Sequence, residues 1–259
     1  MSESKIVLKR INEHIMLVMI NRPTVYNAID VETTLQLESA VQQLEDDESI
    51  WVCILTGAGD KVFSSGADLK EVSNGKLEKL FTKKGAFAGF TGFKRAKPWI
   101  AAVKGKALAG GFEIALACDL IVADEDGAFG LPEVQRGLVA GAGGLYRLVR
   151  SIPKAIAAEM ILTGAPINCR LLHQYGLINH LSPNRDVIDR SITLAKALCT
   201  GAPLAVQASL SILRLAFDHD EVTLHELSVE ALKHLSATDD YLEGPKAFIE
   251  KRSPIWKGR

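Results

Sequence analysis

Apolar and polar positions fall into blocks along the 259 residues. Residues 6–10 and 14–21 are apolar-rich runs separated by Ile11-Asn12-Glu13, which predicts two strands joined as a hairpin. Arg22-Pro23 ends the second. In residues 31–44, Leu35, Leu37, Val41 and Leu44 recur near helical spacing, and Asp30 stands where an N-cap belongs. Residues 51–55 are continuously apolar, the pattern of a strand buried on both faces, and a turn at 56–60 stops them. Residues 63–70 read as a small-residue loop leading into a helix start. Residues 73–95 are rich in Lys and Gly with little periodicity, which predicts a mobile, partly helical segment. Beyond them the pattern predicts a strand at 98–103, a Gly/Ala loop at 105–111, a short apolar helix at 112–118, and strands at 120–123 and 128–130.

Strand, strand, helix, repeated, is the signature of an α/β fold with crossover connections. From about residue 143 the chain reads as mostly helical, punctuated by Pro153, Gly164-Ala165-Pro166, Gly176, Ser182-Pro183 and Gly201-Ala202-Pro203. The expected division is a core over 1–200 and a helical appendage over 201–259. No short internal sequence repeat is visible.

Composition narrows the classes. At 47% apolar residues the chain can bury a core, which excludes disorder. Lys and Arg total 30 against 31 Asp and Glu, so a broad nucleic-acid footprint is not expected. Cys53, Cys118, Cys169 and Cys199 are widely spread with no CxxC pair, which fits a reduced, cytoplasmic setting. The six His show no paired-ligand spacing, so no metal is expected. The opening Met1-Ser-Glu-Ser-Lys5 lacks the apolar stretch of a signal peptide, and no apolar run reaches the roughly 18 residues of a membrane helix.

Among candidate residues Glu113 stands out. It is the one charged residue in residues 107–118, ALAGGFEIALAC. A carboxylate on an apolar helix is costly to bury ionised, and the raised pKa that results suits a general acid or base near neutrality. A solvated Glu on the exposed side of the helix is the competing reading. Gly110-Gly111 opens the same helix, where unpaired N–H groups can hold an anion or a developing oxyanion. Gly66-Ala67-Asp68 makes a second small-residue corner, and Phe129-Gly-Leu-Pro-Glu133 sets a second Glu in a turn. Ala140-Gly-Ala-Gly-Gly144 is a close-packed or flexible corner. Taken singly, each of these also reads as an ordinary turn. Dinucleotide, P-loop, nucleophile-elbow and HExxH templates all fail.

Taken together, these segments resemble the crotonase (enoyl-CoA hydratase/isomerase) superfamily along nearly the whole chain. The matching stretches are Asn21-Arg-Pro-Thr-Val-Tyr-Asn-Ala28, Phe63-Ser-Ser-Gly-Ala-Asp-Leu-Lys70, residues 98–119, Phe129-Gly-Leu-Pro-Glu133, Gly141-Ala-Gly-Gly144 and Glu243-Gly-Pro-Lys-Ala-Phe-Ile-Glu-Lys-Arg252. The resemblance implies an α/β spiral of ββα units. It also implies a helical C-terminal region used for trimerisation, often to a dimer of trimers. An acyl-CoA thioester would be the substrate, with no separate cofactor, nucleic-acid partner or membrane. Glu113 and Glu133 would be the two catalytic carboxylates of a hydratase. The backbone N–H groups of Ala67 and Gly110 would form its oxyanion hole. Ala28, Gly66, Asp68, Leu69, Lys70 and Gly111 would lie along the substrate, with Phe248 and Lys251 reaching acyl-CoA from the C-terminal end, Phe248 from a neighbouring subunit. Family isomerases commonly keep one catalytic carboxylate, at the Glu133-type position, so Glu113 favours hydration. Some members bind RNA through a basic surface, which the near-neutral charge disfavours. The C-terminal run and Gly85-Ala-Phe-Ala-Gly89 look most like the carnitinyl-CoA dehydratase branch, whereas Ala67 replaces a bulkier residue found in some of that branch, and Leu232 replaces an aromatic that some hydratases carry.

Overall fold

The structure, a computed structural model, describes residues 4–259; the polar opening at Met1–Glu3 lies outside the described residues. The chain begins β1 (Ile6–Arg10), β2 (Ile15–Ile20), α1 (Val31–Asp46), β3 (Val52–Gly57), β4 (Val62–Ser64) and α2 (Leu69–Ser73). Then come β5 (Phe81–Thr82), β6 (Ala86–Phe87), β7 (Trp99–Val103), β8 (Lys106–Leu108), α3 (Gly110–Ala117), β9 (Leu120–Asp124) and β10 (Ala128–Gly130). The remainder is α4 (Gly144–Ser151), α5 (Lys154–Thr163), β11 (Ile167–Asn168), α6 (Cys169–Gln174), β12 (His180–Ser182) and α7 (Val187–Leu198), followed by α8 (Pro203–Leu215), α9 (Glu221–Leu235) and α10 (Asp239–Ile249).

Two sheets organise the core. One has six strands in the order β1-β2-β3-β7-β9-β12; the other has four in the order β11-β10-β8-β4. All pairs from β2 to β12 in the first sheet are parallel, as are β4·β8 and β8·β10 in the second. Successive residues of β3 serve opposite faces. Cys53 and Leu55 pack into one apolar cluster, Val52 and Ile54 into the other. That is why the run is apolar throughout instead of alternating.

The strand–strand–helix pattern has a definite meaning. Three times, the first strand enters the six-stranded sheet and the second enters the four-stranded sheet: β3 then β4, β7 then β8, β9 then β10. Each second strand ends in a sharp corner. Because β4, β8 and β10 are parallel neighbours, with one register shift between Val62 and Ser64 of β4, their carboxyl ends lie side by side. Ligands of parallel sheets bind at that edge.

Several expectations need correction. The 63–70 and 105–111 loops contain the short strands β4 and β8, and α3 starts at Gly110 instead of Phe112. Strands of three residues carry no readable alternation. Residues 73–95, expected to be mobile and partly helical, carry helix only as one short turn, and from Leu80 onward they pack into the core. They comprise a 3-10 turn at Leu77–Leu80, the β5–β6 hairpin and tight turns, with Leu80, Phe87, Ala88, Phe90 and Phe93 buried. Their glycines permit backbone-to-backbone packing that leaves no periodicity: a Cβ on Gly85 would lie 2.2 Å from the Gly89 carbonyl carbon. The region after residue 143 is helical but also supplies β11 and β12 to the two sheets.

At the C-terminal end, α8 packs on α9, while α9 buries none of its residues. The last residues fold back: Asp240 accepts from the Lys257 and Gly258 N–H groups, and the Trp256 indole donates to the Thr200 carbonyl. No single helix among the described residues is long and apolar enough to cross a membrane.

Candidate active site

The first corner follows β4. Gly66 has φ +84, and a Cβ there would come within 2.6 Å of the Gly110 nitrogen. Gly66 is therefore a glycine for two reasons, its left-handed backbone and the second corner pressed against it. Ala67 forms a parallel bridge with Ile29, in which Gly66 C=O accepts from Ile29 N–H and Asp68 N–H donates to Ile29 C=O. That leaves the Ala67 N–H outside the ladder, without a hydrogen-bond partner among the described residues.

The second corner follows β8. Ala109 caps α3 with φ 50 and ψ -131, a region that costs a side-chain-bearing residue on the order of 1–3 kcal/mol. The strain turns the chain sharply enough to bring the first turn of α3 against Gly66. Gly110, at the first helical position, has no intrahelical acceptor for its N–H. A Cβ on it would sit 2.5 Å from the Phe87 ring, and one on Gly111 would sit 2.2 Å from the Ser64 carbonyl oxygen. Two partnerless N–H groups, from Ala67 and Gly110, thus lie on adjoining corners, the arrangement that can hold an anionic oxygen.

Glu113 projects from the same helix and is buried, 4% exposed. Its Oε1 accepts from the Ala142 N–H at 2.7 Å and the Gly144 N–H at 2.9 Å. Oε2 makes no hydrogen bond among the described residues. Burial, the largest influence, pushes the carboxyl up to about 7; the Glu133 charge pushes the same way, and the two N–H groups with the Arg147 cation oppose it. The solvated-Glu reading of this residue is therefore excluded. The Ala140–Gly144 corner turns out to be the donor turn ahead of α4. Gly144 must stay small, since a Cβ would lie 3.1 Å from Glu113 Oε1.

Glu133 comes from the third corner, after β10, in the 3-10 turn Pro132–Arg136. It is buried, 8% exposed, and its Oε2 has no hydrogen-bond partner. Burial raises its pKa as well. Both carboxyls are thus biased by burial toward the neutral form, and the charge of Glu133 adds to that bias at Glu113.

Other candidates are placed differently. Asp68 caps α2 and is ion-paired with Arg22 at 3.1 Å, so its carboxylate is already engaged. Leu69 and Lys70 are exposed on α2. Ala28 is buried beside the Ile29–Ala67 bridge, and its carbonyl accepts from Arg22. Phe248, 85% exposed, and Lys251 lie at the end of α10, and no hydrogen bond or ion pair joins either to the carboxylates within one chain.

Some residues escape the sequence reading. A cleft of about 580 Å³ opens beside both corners, lined by Tyr26, Lys61, Ser65, Lys106 and Leu108 among others. Most of its lining, including Lys61, Gly105, Lys106 and Gly127, stands at the amino starts of β4, β8 and β10, and neither carboxylate lines it. The Ala142 and Gly144 donors were signalled by three glycines in four residues ahead of a helix; Phe87 and Arg147 carried no such signal.

Comparison with known proteins decides the family. The family model for enoyl-CoA hydratase/isomerase matches residues 10–259. The chain belongs to this family. A relative named carnitinyl-CoA dehydratase, from Salmonella enteritidis, is 39% identical over 253 residues, covering 96% of this chain and 97% of its own. The crystal structure of enoyl-CoA hydratase from Mycobacterium tuberculosis is 40% identical, with a TM-score of 0.94 over 99% of this chain and 100% of that one. The carnitinyl-CoA hydratase structure from Mycobacterium avium is 38% identical, with a TM-score of 0.76 and 100% of both chains covered. The fold expected from the crotonase resemblance is thereby borne out, including the parallel sheets. The relatives carry hydratase and dehydratase names, those of hydro-lyases in the same family.

Proposed function

We propose that this protein is a hydro-lyase that adds water reversibly to a 2-enoyl-CoA thioester. The observation that carries the reading is the pairing of buried Glu113 and Glu133 next to two adjoining corners with partnerless N–H groups. The thioester oxygen would sit between the Ala67 and Gly110 N–H groups, which stabilise the enolate-like charge that develops there. One carboxylate takes a proton from water as its oxygen bonds to the β-carbon. The other delivers a proton to the α-carbon on the same face. The sum is redox-neutral, so the reading includes no cofactor beyond the coenzyme A carried by the substrate. Lys70, exposed just after the first corner, and Lys251 suit the phosphates of the CoA nucleotide.

The chemistry needs one carboxyl protonated and one ionised. Both pKa values are raised, that of Glu113 to about 7, and the activity is expected to follow a bell-shaped pH dependence with one limb near that value. A profile flat from pH 5 to 9 in the wild type would contradict the assignment of one protonated and one ionised carboxyl.

Residues 201–259 form an oligomerisation region in this reading. Helix α9 buries nothing in the single chain, and Phe217, Leu232, Leu242, Phe248 and Ile249 are exposed on or between the last helices. A homotrimer or dimer of trimers covers that surface and brings Phe248 and Lys251 to a neighbour's thioester. The four free thiols accord with a reducing, cytoplasmic compartment.

A second reading concerns the acyl group. The Salmonella relative's name favours a carnitine-derived thioester. Loss of the conjugated-thioester absorbance, compared for crotonyl-CoA and crotonobetainyl-CoA, separates the two. Turnover of crotonyl-CoA alone supports the short-chain hydratase, and turnover of crotonobetainyl-CoA alone supports the carnitine branch.

A further inference from the structure

Arg147 stands one turn into α4, half-buried, and makes no ion pair with any carboxylate among the described residues. Its guanidinium instead donates to two carbonyls, Nη1 to Ala142 at 3.0 Å and Nη2 to Thr91 at 2.7 Å. Ala142 is therefore gripped from both ends: its C=O by Arg147, its N–H by Glu113 Oε1. The route between them is kept clear by Gly143, whose φ is +119 and where a Cβ would fall 1.9 Å from Arg147 Nη1. Thr91 belongs to the packed coil that also presses Phe87 onto Gly110, so one side chain ties that coil to the donor turn.

We propose that Arg147 is a positioning residue for Glu113: its fork clamps the 141–144 turn so that the Ala142 and Gly144 N–H groups stay on Oε1. The proposal rests on the reading of Glu113 as one of the two working carboxylates. A planar guanidinium suits the task because it reaches two carbonyls at fixed angles while staying charged. The charged groups facing Glu113 are Glu133, from the turn after β10, and Arg147 itself, from α4. Arg147 is thus the cation that opposes Glu133 there. Arg136 is the cation that acts on Glu133.

The test uses the intact protein with carboxyl-labelled glutamate, the Glu113 resonance being assigned through Glu113→Gln. The labelled carboxyl is titrated by carbon NMR in the wild type, Arg147→Met and Arg147→Lys, and kcat and KM for crotonyl-CoA are measured beside it. Removing the cation raises the Glu113 midpoint by about half a unit or more, while Lys keeps the charge and holds it near the wild-type value. Loosening the turn lowers kcat roughly ten- to a hundredfold in Arg147→Met with KM little changed. In Arg147→Lys, which lacks the fork, kcat falls by a smaller factor. An unmoved Glu113 midpoint in Arg147→Met overturns the proposal, even if activity and melting temperature fall, because that is the signature of a merely structural residue. Should Arg147→Met not fold, Arg147→Lys decides: wild-type kcat overturns the clamp, and a lower kcat at unchanged KM and unchanged melting temperature supports it. A wild type inactive on every enoyl-CoA tried would overturn the functional reading and leave the titration to judge Arg147 alone.

Discussion

Glu113 illustrates how a single residue's surroundings set its chemistry. Two N–H donors and a nearby guanidinium favour the ionised form, yet burial outweighs them and the carboxyl titrates near 7 in place of 4.5. That balance has a consequence for stability. The folded protein holds this proton more tightly than the unfolded chain does. The associated stabilisation is therefore fully present below about pH 4.5 and is lost as pH rises through about 7. Glu113→Gln removes the titration and keeps an oxygen for the Ala142 and Gly144 donors. Between pH 5 and pH 8 the variant should gain about 2 kcal/mol relative to the wild type, or roughly 5 °C in melting temperature. Thermal denaturation at the two pH values checks this, and a gap independent of pH would contradict the buried, proton-holding carboxyl. Glu113 was also the residue most legible in sequence, because a lone charge in an apolar helix has few cheap fates. Its partners were not legible, since Ala142 and Gly144 lie 29 and 31 positions away and only the tertiary fold joins them.

At the scale of elements, the site is a product of repetition. Three second strands lie parallel and side by side, so three separate corners deliver Ala67, Gly110 and Glu133 to one edge. The long strands and the α1 and α3 helices could be read from periodicity, to within a residue or two at their ends. The three-residue strands could not, and with them went the reason the corners meet. The close approach itself is testable. A Cβ on Gly111 would meet the Ser64 backbone, which has no room to move within β4. Gly111→Ala is expected to cost roughly 1–3 kcal/mol or more through overpacking, read as a lower urea midpoint. A midpoint equal to wild type would show that the β4 and α3 corners are not in contact.

For the whole molecule, the exposed C-terminal surface carries the prediction. Single exposed apolar residues need no explanation, but a helix with no buried residue, together with exposed Phe248 and Ile249, is the face we propose for oligomerisation. Sedimentation should give a species at three or six times the monomer mass. Phe248→Asp should weaken the assembly and raise KM for the enoyl-CoA together. A wild-type monomer at micromolar concentration would contradict the oligomerisation role of residues 201–259. The expected division near residue 200 rests on the punctuation at Gly201-Ala202-Pro203, and the packing of residues 80–95 was missed because its order comes from glycine contacts instead of a hydrophobic stripe.

The most direct measurement is the rate at which the conjugated enoyl-thioester absorbance is lost, with the wild type, Glu113→Gln and Glu133→Gln compared on the same substrate. Each carboxylate is expected to contribute proton transfer to the transition state, so each variant should lose roughly a hundredfold or more in kcat while still binding the thioester. Hydration by either variant at the wild-type rate would contradict the two-carboxylate account.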